Sequence, residues 1–175
     1  TVKNRSAEYS DEENKIVEEE LKNFVIFKDQ KTKDIKMDVP TTVARIAFSE
    51  GSNQAWGFAT TVMRTTPEEI VGLSWDTMSR GKHRDDDLEK SGDETVNDHN
   101  QLVYNRKATP KIISDRDFLG RMIWKKTSES VLVVVARPEE SLRRPALDGV
   151  VRGKFPNTMR MIRLNNRETK VEFLV

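Results

Sequence analysis

The stretch Lys111–Ala136, KIISDRDFLGRMIWKKTSESVLVVVA, decides how the chain is read. Two β-rich runs, Phe118–Lys126 and Val131–Ala136, are joined by the polar tetrad Thr127-Ser128-Glu129-Ser130, which predicts a β-hairpin. On the first run Phe118, Gly120, Met122 and Trp124 share one face, and Leu119, Arg121, Ile123 and Lys125 the other. Its entry, Ser114-Asp115-Arg116-Asp117, sets short acceptor side chains beside backbone N–H groups and an arginine within reach of two aspartates. That combination predicts a rigid, self-satisfied turn in which Arg116 pairs with Asp115, Asp117 or another carboxylate at the strand mouth.

Downstream, turn residues Pro156-Asn157 and Asn165-Asn166 separate three further predicted strands, Asp148–Phe155, Thr158–Leu164 and Glu168–Val175. Upstream, Asn100–Ala108 reads as a strand. Val43–Phe48 and Gln54–Met63 read as two more, joined by a turn over 49–53. In the second of these Trp56, Phe58, Thr60 and Val62 oppose a face of small residues, Ala55, Gly57, Ala59 and Thr61, so something packs close on one side. Ile35, Met37 and Val39 alternate as in a half-buried edge strand ended by Pro40.

Two helix starts are explicit. Ser10-Asp11-Glu12-Glu13 is a capping box, and Ile16, Val17, Leu21, Phe24 and Val25 then predict a helix over about 11–24 with a narrow apolar stripe. Thr66-Pro67-Glu68-Glu69 repeats the device with proline at the first helical position; this helix runs to about Ser79 and buries Ile70, Val71, Ser74, Trp75 and Met78. Between Lys82 and Asp98 the chain turns acidic and reads as a solvated, mobile loop. The register Asp87-x-Glu89-x-Ser91-Gly92 with Asp98 is a poor imitation of a calcium loop, because Glu94 stands where an apolar residue is wanted.

Composition bounds the function classes. The 175 residues suit one domain, which at this length buries roughly 70% of its unfolded surface. Thirty basic residues against twenty-nine acidic ones call for no obligate nucleic-acid partner. The absence of cysteine rules out disulfides and thiolate metal sites and favours a reducing compartment. No run approaches the ~20 apolar residues that cross a bilayer. Asn4-Arg5-Ser6 matches a glycosylation sequon that such a cysteine-free terminus gives little use, and the start at Thr1 suits a processed or excised piece.

Enzyme chemistry finds no footing. His83 and His99 sit in no metal-ligand spacing and read as exposed, the eight glycines form no phosphate loop, and Glu68 and Glu69 serve a helix N-terminus. The expectation is a non-catalytic protein without metal or cofactor. Between Ser141 and Lys170 eight basic residues (Arg143, Arg144, Arg152, Lys154, Arg160, Arg163, Arg167 and Lys170) face only Asp148 and Glu168. Such a field is a solvated surface or a dock for an anionic membrane; with Phe155 alone for stacking, nucleic acid is disfavoured.

Four motifs taken in order carry a resemblance. Thr66-Pro67-Glu68-Glu69-Ile70-Val71 after a strand, Ser114-Asp115-Arg116-Asp117-Phe118-Leu119, Gly149-Val150-Val151-Arg152-Gly153 and the final Lys170–Val175 strand resemble the "P-P-E-E-V", "S-x-R-D-F-V", "G-x-V-R-A/G" and "c-k-V-t-y-v" motifs of START domains, lipid-transfer modules related to steroidogenic acute regulatory protein. The match spans about Val43–Val175. The chain departs from the family at 78–85, where a Trp-Asp pair is usual.

The resemblance implies an α+β, helix-grip (START/Bet v 1-like) curved antiparallel sheet, with 1–40 as N-terminal helix and edge segment and 41–175 as core. It also implies C-terminal incompleteness, because the family's last strand and lid helix would follow Val175. The resemblance implies binding, and by extension transfer between membranes, of a lipid or other apolar molecule in the cytoplasm or peripherally at membranes, with transient contact to an anionic surface and no nucleic-acid partner. The alternative is a scaffold or regulatory module without ligand. Cavity candidates are Trp56, Phe58, Met122, Trp124, Val133, Val135, Met159 and Met161, with Asp115, Arg116 and Asp117 at the strand mouth. Spacing alone favours an ordinary packed core for the same apolar residues. Met122 stands where some sterol-binding members place a buried arginine, so a site anchored through that arginine is not expected.

Overall fold

The computed structural model describes residues 8–48, 55–76, 86–110 and 112–175. The sequon Asn4-Arg5-Ser6, the turn over 49–53, Met78, His83 and the departure at 78–85 lie outside these residues. Among the described residues the chain forms α1 (Asp11–Lys28), β1 (Thr32–Ile35), β2 (Val43–Phe48), β3 (Ala55–Met63), α2 (Pro67–Trp75), β4 (Asp87–Asn97), β5 (Asn100–Lys107), β6 (Arg116–Ser128), β7 (Val131–Pro138), β8 (Val151–Arg152), β9 (Asn157–Asn165) and β10 (Glu168–Leu174). The strands make one sheet in the order β1-β2-β3-β10-β9-β7-β6-β5-β4, with β8 beside β6.

The chain divides into two compact units, 1–72 with 124–135 and 157–175, and 73–123 with 136–156. In the first unit the α1 capping box forms as expected: Glu13 N donates to Ser10 Oγ (3.2 Å) and Ser10 N to Glu13 Oε2 (2.8 Å). The helix runs one turn further than its stripe suggested, to Lys28, because Phe27 as well as Phe24 is buried. Val25, assigned to that stripe, is 61% exposed, since Val17, Phe24 and Phe27 already fill the buried side. α2 carries the second reciprocal cap, with Thr66 N donating to Glu69 Oε2 (2.9 Å) and Glu69 N to Thr66 Oγ1 (3.3 Å), and ends by Trp75.

Register fixes the two faces of β3, β10 and β9. Phe58, Leu174 and Thr158 lie in one row, and Thr60, Glu172 and Arg160 in the next. Phe58 stacks on Phe27 (5.4 Å between centroids) and meets Phe24 edge-on (6.4 Å), and the Arg160 guanidinium lies 4.8 Å over the Phe24 ring, so these rows face α1. Rows of opposite parity, Ala59-Phe173-Met159 and Thr61-Val171-Met161, turn away from α1.

In the second unit the structure overturns one expectation outright. The acidic run read as a mobile loop contains β4, paired residue by residue with β5 from Asp87↔Lys107 to Asn97↔Asn100, with register shifts along the way. Its charges escaped the usual strand grammar because basic residues from elsewhere in the chain pair them: Lys107 Nζ with Asp86 and Asp87 (3.2 and 3.1 Å), and Arg144, beyond β7, with Glu89 (2.8 Å). A ladder-bonded strand cannot wrap a cation, which removes the geometry of the calcium-loop register. His99, expected in solvent, is 4% exposed beside the β4–β5 turn, where its N–H donates to Asn97 Oδ1. The strand expected over Asp148–Phe155 shrinks to Val151–Arg152, parallel to the start of β6. β1 covers Thr32–Ile35 only, ahead of Met37 and Val39.

Candidate functional site

In the first unit the face turned away from α1 carries mainly small and apolar side chains along β3, β9 and β10. Gly57 lets the chain end approach: its N–H donates to Val175 O (2.7 Å), Val175 N returns the bond (2.8 Å), and a Cβ there would stand 3.1 Å from Val175 Cγ1. Next come Ala59, Phe173 and Met159, then Thr61, Val171 and Met161, the last fully buried. The first turn of α2 closes this face, because Thr169 Oγ1 donates to Thr65 O (2.6 Å) and Arg163 pairs with Glu68. The other charged side chains of these rows sit on the α1 side. Glu172 there is raised by burial, but hydrogen bonds from Lys170 and Arg160 outweigh this and hold it below the usual carboxylate range.

Alternation therefore separates the cavity candidates. Trp56 and Phe58 belong to the core under α1, packed with Leu21, Phe24, Phe27, Ala47 and Leu174; their large rings fill the helix interface, and the small-residue face of β3 looks the other way. Met159 and Met161 share that other face. So does the Trp124 side chain by alternation, because its neighbour Lys125 reaches α1, 5.3 Å over the Tyr9 ring and bonded to Asn14 Oδ1 (2.5 Å). Tyr9 OH donates to the Trp124 carbonyl, and burial, with the charge of Glu13, pushes its hydroxyl up to about 12. Val133 and Val135 are fully buried in a run, Leu132–Val135, whose successive side chains are all covered. In the second unit Met122 is buried in the Gln101 row of β5–β6.

The strand mouth in the second unit is built differently from the expectation. Asp117 is fully buried, yet its partner is Arg152, which donates through Nε (2.7 Å) and Nη2 (3.0 Å); Tyr104 OH adds a third bond (3.2 Å). Asp115 pairs with Arg106 (3.1 Å), whereas Arg116 is exposed and takes neither aspartate. The reason is that Arg116 and Asp117 are consecutive residues of β6, so their side chains leave on opposite faces. Hydrogen bonding to Asp117 raises Arg152 above its ordinary value, and burial, helped by the Asp117 charge, raises Tyr104. Backbone bonds Val151 N to Asp115 O (2.9 Å) and Gly153 N to Asp117 O (2.8 Å) fasten the same segment. In the sequence Arg152 stands out only as a motif residue and as one member of the basic field; its partner is 35 residues away.

The basic field between Ser141 and Lys170 is mostly neutralised by acids from elsewhere in the chain. Arg143 pairs with Glu94, Arg144 with Glu89, Arg152 with Asp117, Arg160 and Lys170 with Glu172, and Arg163 with Glu68.

No family model and no curated protein sequence matches the chain. Solved structures do. A human StAR-related lipid transfer protein 5 superposes with a TM-score of 0.68 at 17% identity, covering 92% of this chain and 79% of that one. The fold is that of a START domain. A STAR-related lipid transfer protein from Xanthomonas axonopodis gives 0.69 at 15% identity over 82% of this chain and 80% of its own, and human STARD10 gives 0.71 at 10% over 98% and 69%. The two-helix, large-sheet architecture is thus the START helix-grip fold, reached through very different side chains.

Proposed function

We propose that this START-fold domain binds a lipid or other apolar molecule without catalysing a reaction on it. The observation that carries the reading is the face of β3, β9 and β10 turned away from α1: Ala59, Met159, Met161, Val171 and Phe173 beside a glycine, with the charges of the neighbouring rows on the opposite side and Arg163 neutralised by Glu68. Such a surface accepts hydrocarbon, thioether side chains adapt to its shape, and no unpaired charge is buried by doing so. Trp124, Val133, Val135 and Met122 are further candidates for ligand contact; the START fold, shared with proteins named for lipid transfer, supports the reading.

Contact with an anionic membrane is transient and is made in the second unit, where Ile112 (93% exposed) and Leu142 (101%) are bare and Lys154 is an exposed cation. Among the described residues no helix is long and apolar enough to cross a membrane. Native mass spectrometry after incubation with mixed liposomes tests the reading: a stoichiometric lipid adduct is expected, lost in Ala59→Trp, which fills the face. Wild-type protein that stays apo would refute lipid binding and favour the scaffold role. Circular dichroism separates filling from misfolding, and Thr61→Trp is the second filling variant.

A further inference from the structure

A second, polar site lies at the other extreme of chemistry. Where the β3–α2 connection meets the β9–β10 turn, a cleft of about 590 Å³ opens, entirely within the first unit. Arg64 and Arg167 line it, and so do Glu69 and Glu168, yet among the described residues no ion pair joins them. Glu69 Oε2 already accepts from Thr65 Oγ1 (2.6 Å), Thr66 N (2.9 Å) and Thr66 Oγ1 (3.0 Å) as the cap of α2. Glu168 Oε2 accepts from Asn165 Nδ2 (2.7 Å), whose Oδ1 in turn takes the N–H of Arg167 (2.9 Å). Each carboxylate is thus held through one oxygen by neutral donors, and among the described residues no hydrogen bond or ion pair engages its other oxygen or either guanidinium group.

A lining with two cations and two anions held apart repels no sign overall and matches neither a simple anion nor a simple cation. It matches a molecule that carries both. We propose that this cleft binds a zwitterion with a phosphate and an ammonium group a few bonds apart, the phosphate taken by the forked donors of Arg64 and Arg167 and the ammonium by the spare oxygens of Glu69 and Glu168. Guanidinium groups suit phosphate because several N–H bonds reach its oxygens at once. The source is a free metabolite of this kind or the headgroup of a zwitterionic phospholipid. The site is independent of the apolar face above, and either can fail alone.

The test is titration of the intact chain with phosphoethanolamine, followed through the amide resonances of 64–69 and 165–168. Saturable shifts are expected there, with affinity about tenfold weaker for inorganic phosphate and for ethanolamine alone, and about tenfold or more weaker for Arg64→Ala/Arg167→Ala. Both arginines are exposed, so the variant should fold; thermal unfolding checks it. Absence of saturable shifts, unchanged affinity in a folded variant, or inorganic phosphate binding as tightly as phosphoethanolamine would overturn the proposal. Sedimentation with phosphatidylethanolamine vesicles then assigns the source: co-sedimentation lost in the variant supports the headgroup, and binding of free phosphoethanolamine without it supports the metabolite.

Discussion

Replacing Arg152 by alanine tests the mouth of the sheet most directly. Asp117 is fully buried, and two of its three side-chain hydrogen bonds come from Arg152, at 2.7 and 3.0 Å; only the Tyr104 hydroxyl at 3.2 Å would remain. Each bond to a charged group contributes about 1.5–3 kcal/mol, and removing one partner of a buried pair costs about 3–5 kcal/mol. The Arg152 side chain is 21% exposed, so water softens the loss, and about 3 kcal/mol is the expectation. For a chain of this length that lowers Tm by about 6–12 °C. The assay is urea unfolding followed by tryptophan fluorescence and circular dichroism, run on Arg152→Ala, Asp117→Asn and the double variant. Because an uncharged amide no longer needs a counter-ion, the double variant should recover about 1–2 kcal/mol relative to Arg152→Ala. A loss below about 0.5 kcal/mol in Arg152→Ala, or strict additivity in the double variant, refutes the reasoning.

Other perturbations act on single, separate contacts. Ser10→Ala removes the acceptor for Glu13 N and should cost about 1 kcal/mol in the same unfolding assay, with Ser10→Asp near neutral. Gly153→Ala drives a Cβ into the edge of the Phe118 ring and should destabilise by about 1–3 kcal/mol; Phe118→Leu in the same chain should restore part of it, and no effect of Gly153→Ala would show that the ring simply moves. Glu172 has a folded pKa below its unfolded one, so its contribution is present above the ordinary carboxylate range and is lost as pH falls through the folded value. Unfolding free energy measured from pH 7 to pH 3 should therefore fall more steeply in the wild type than in Glu172→Gln. Phe58→Ala, which empties the stack on Phe27, should cost about 3 kcal/mol, and a value under about 1 would mean that α1 is not held by this cluster.

Local chemistry was the legible part. Both capping boxes, the hairpin of β6 and β7 and the β9–β10 turn follow from residues within a few positions of one another, where hydrogen-bond reach and side-chain alternation are set by the chain itself. β4 was missed for the opposite reason. Its acidic side chains look like those of a loop until Lys107 and Arg144 come from β5 and from beyond β7 to pair them. The basic run of the C-terminal third misled in the same way, since a window of sequence counts charges but not their partners.

The candidate site divided along the same line. That one face of β3 is bulky and the other small is written in Trp56-Gly57-Phe58-Ala59, and Met159 and Met161 announce a shared face by spacing. Which face takes α1 is not written there, because it depends on whether Phe24 and Phe27 reach Phe58 across the sheet, a contact between residues more than 30 positions apart. By itself, then, the sequence determined both helices with their caps and most of the two-faced strands, though not β4. Only the tertiary structure decided which face was core, which aspartate received Arg152 and which charges were left unpaired at Arg64 and Arg167, since each is settled by distances between segments that chain order leaves free.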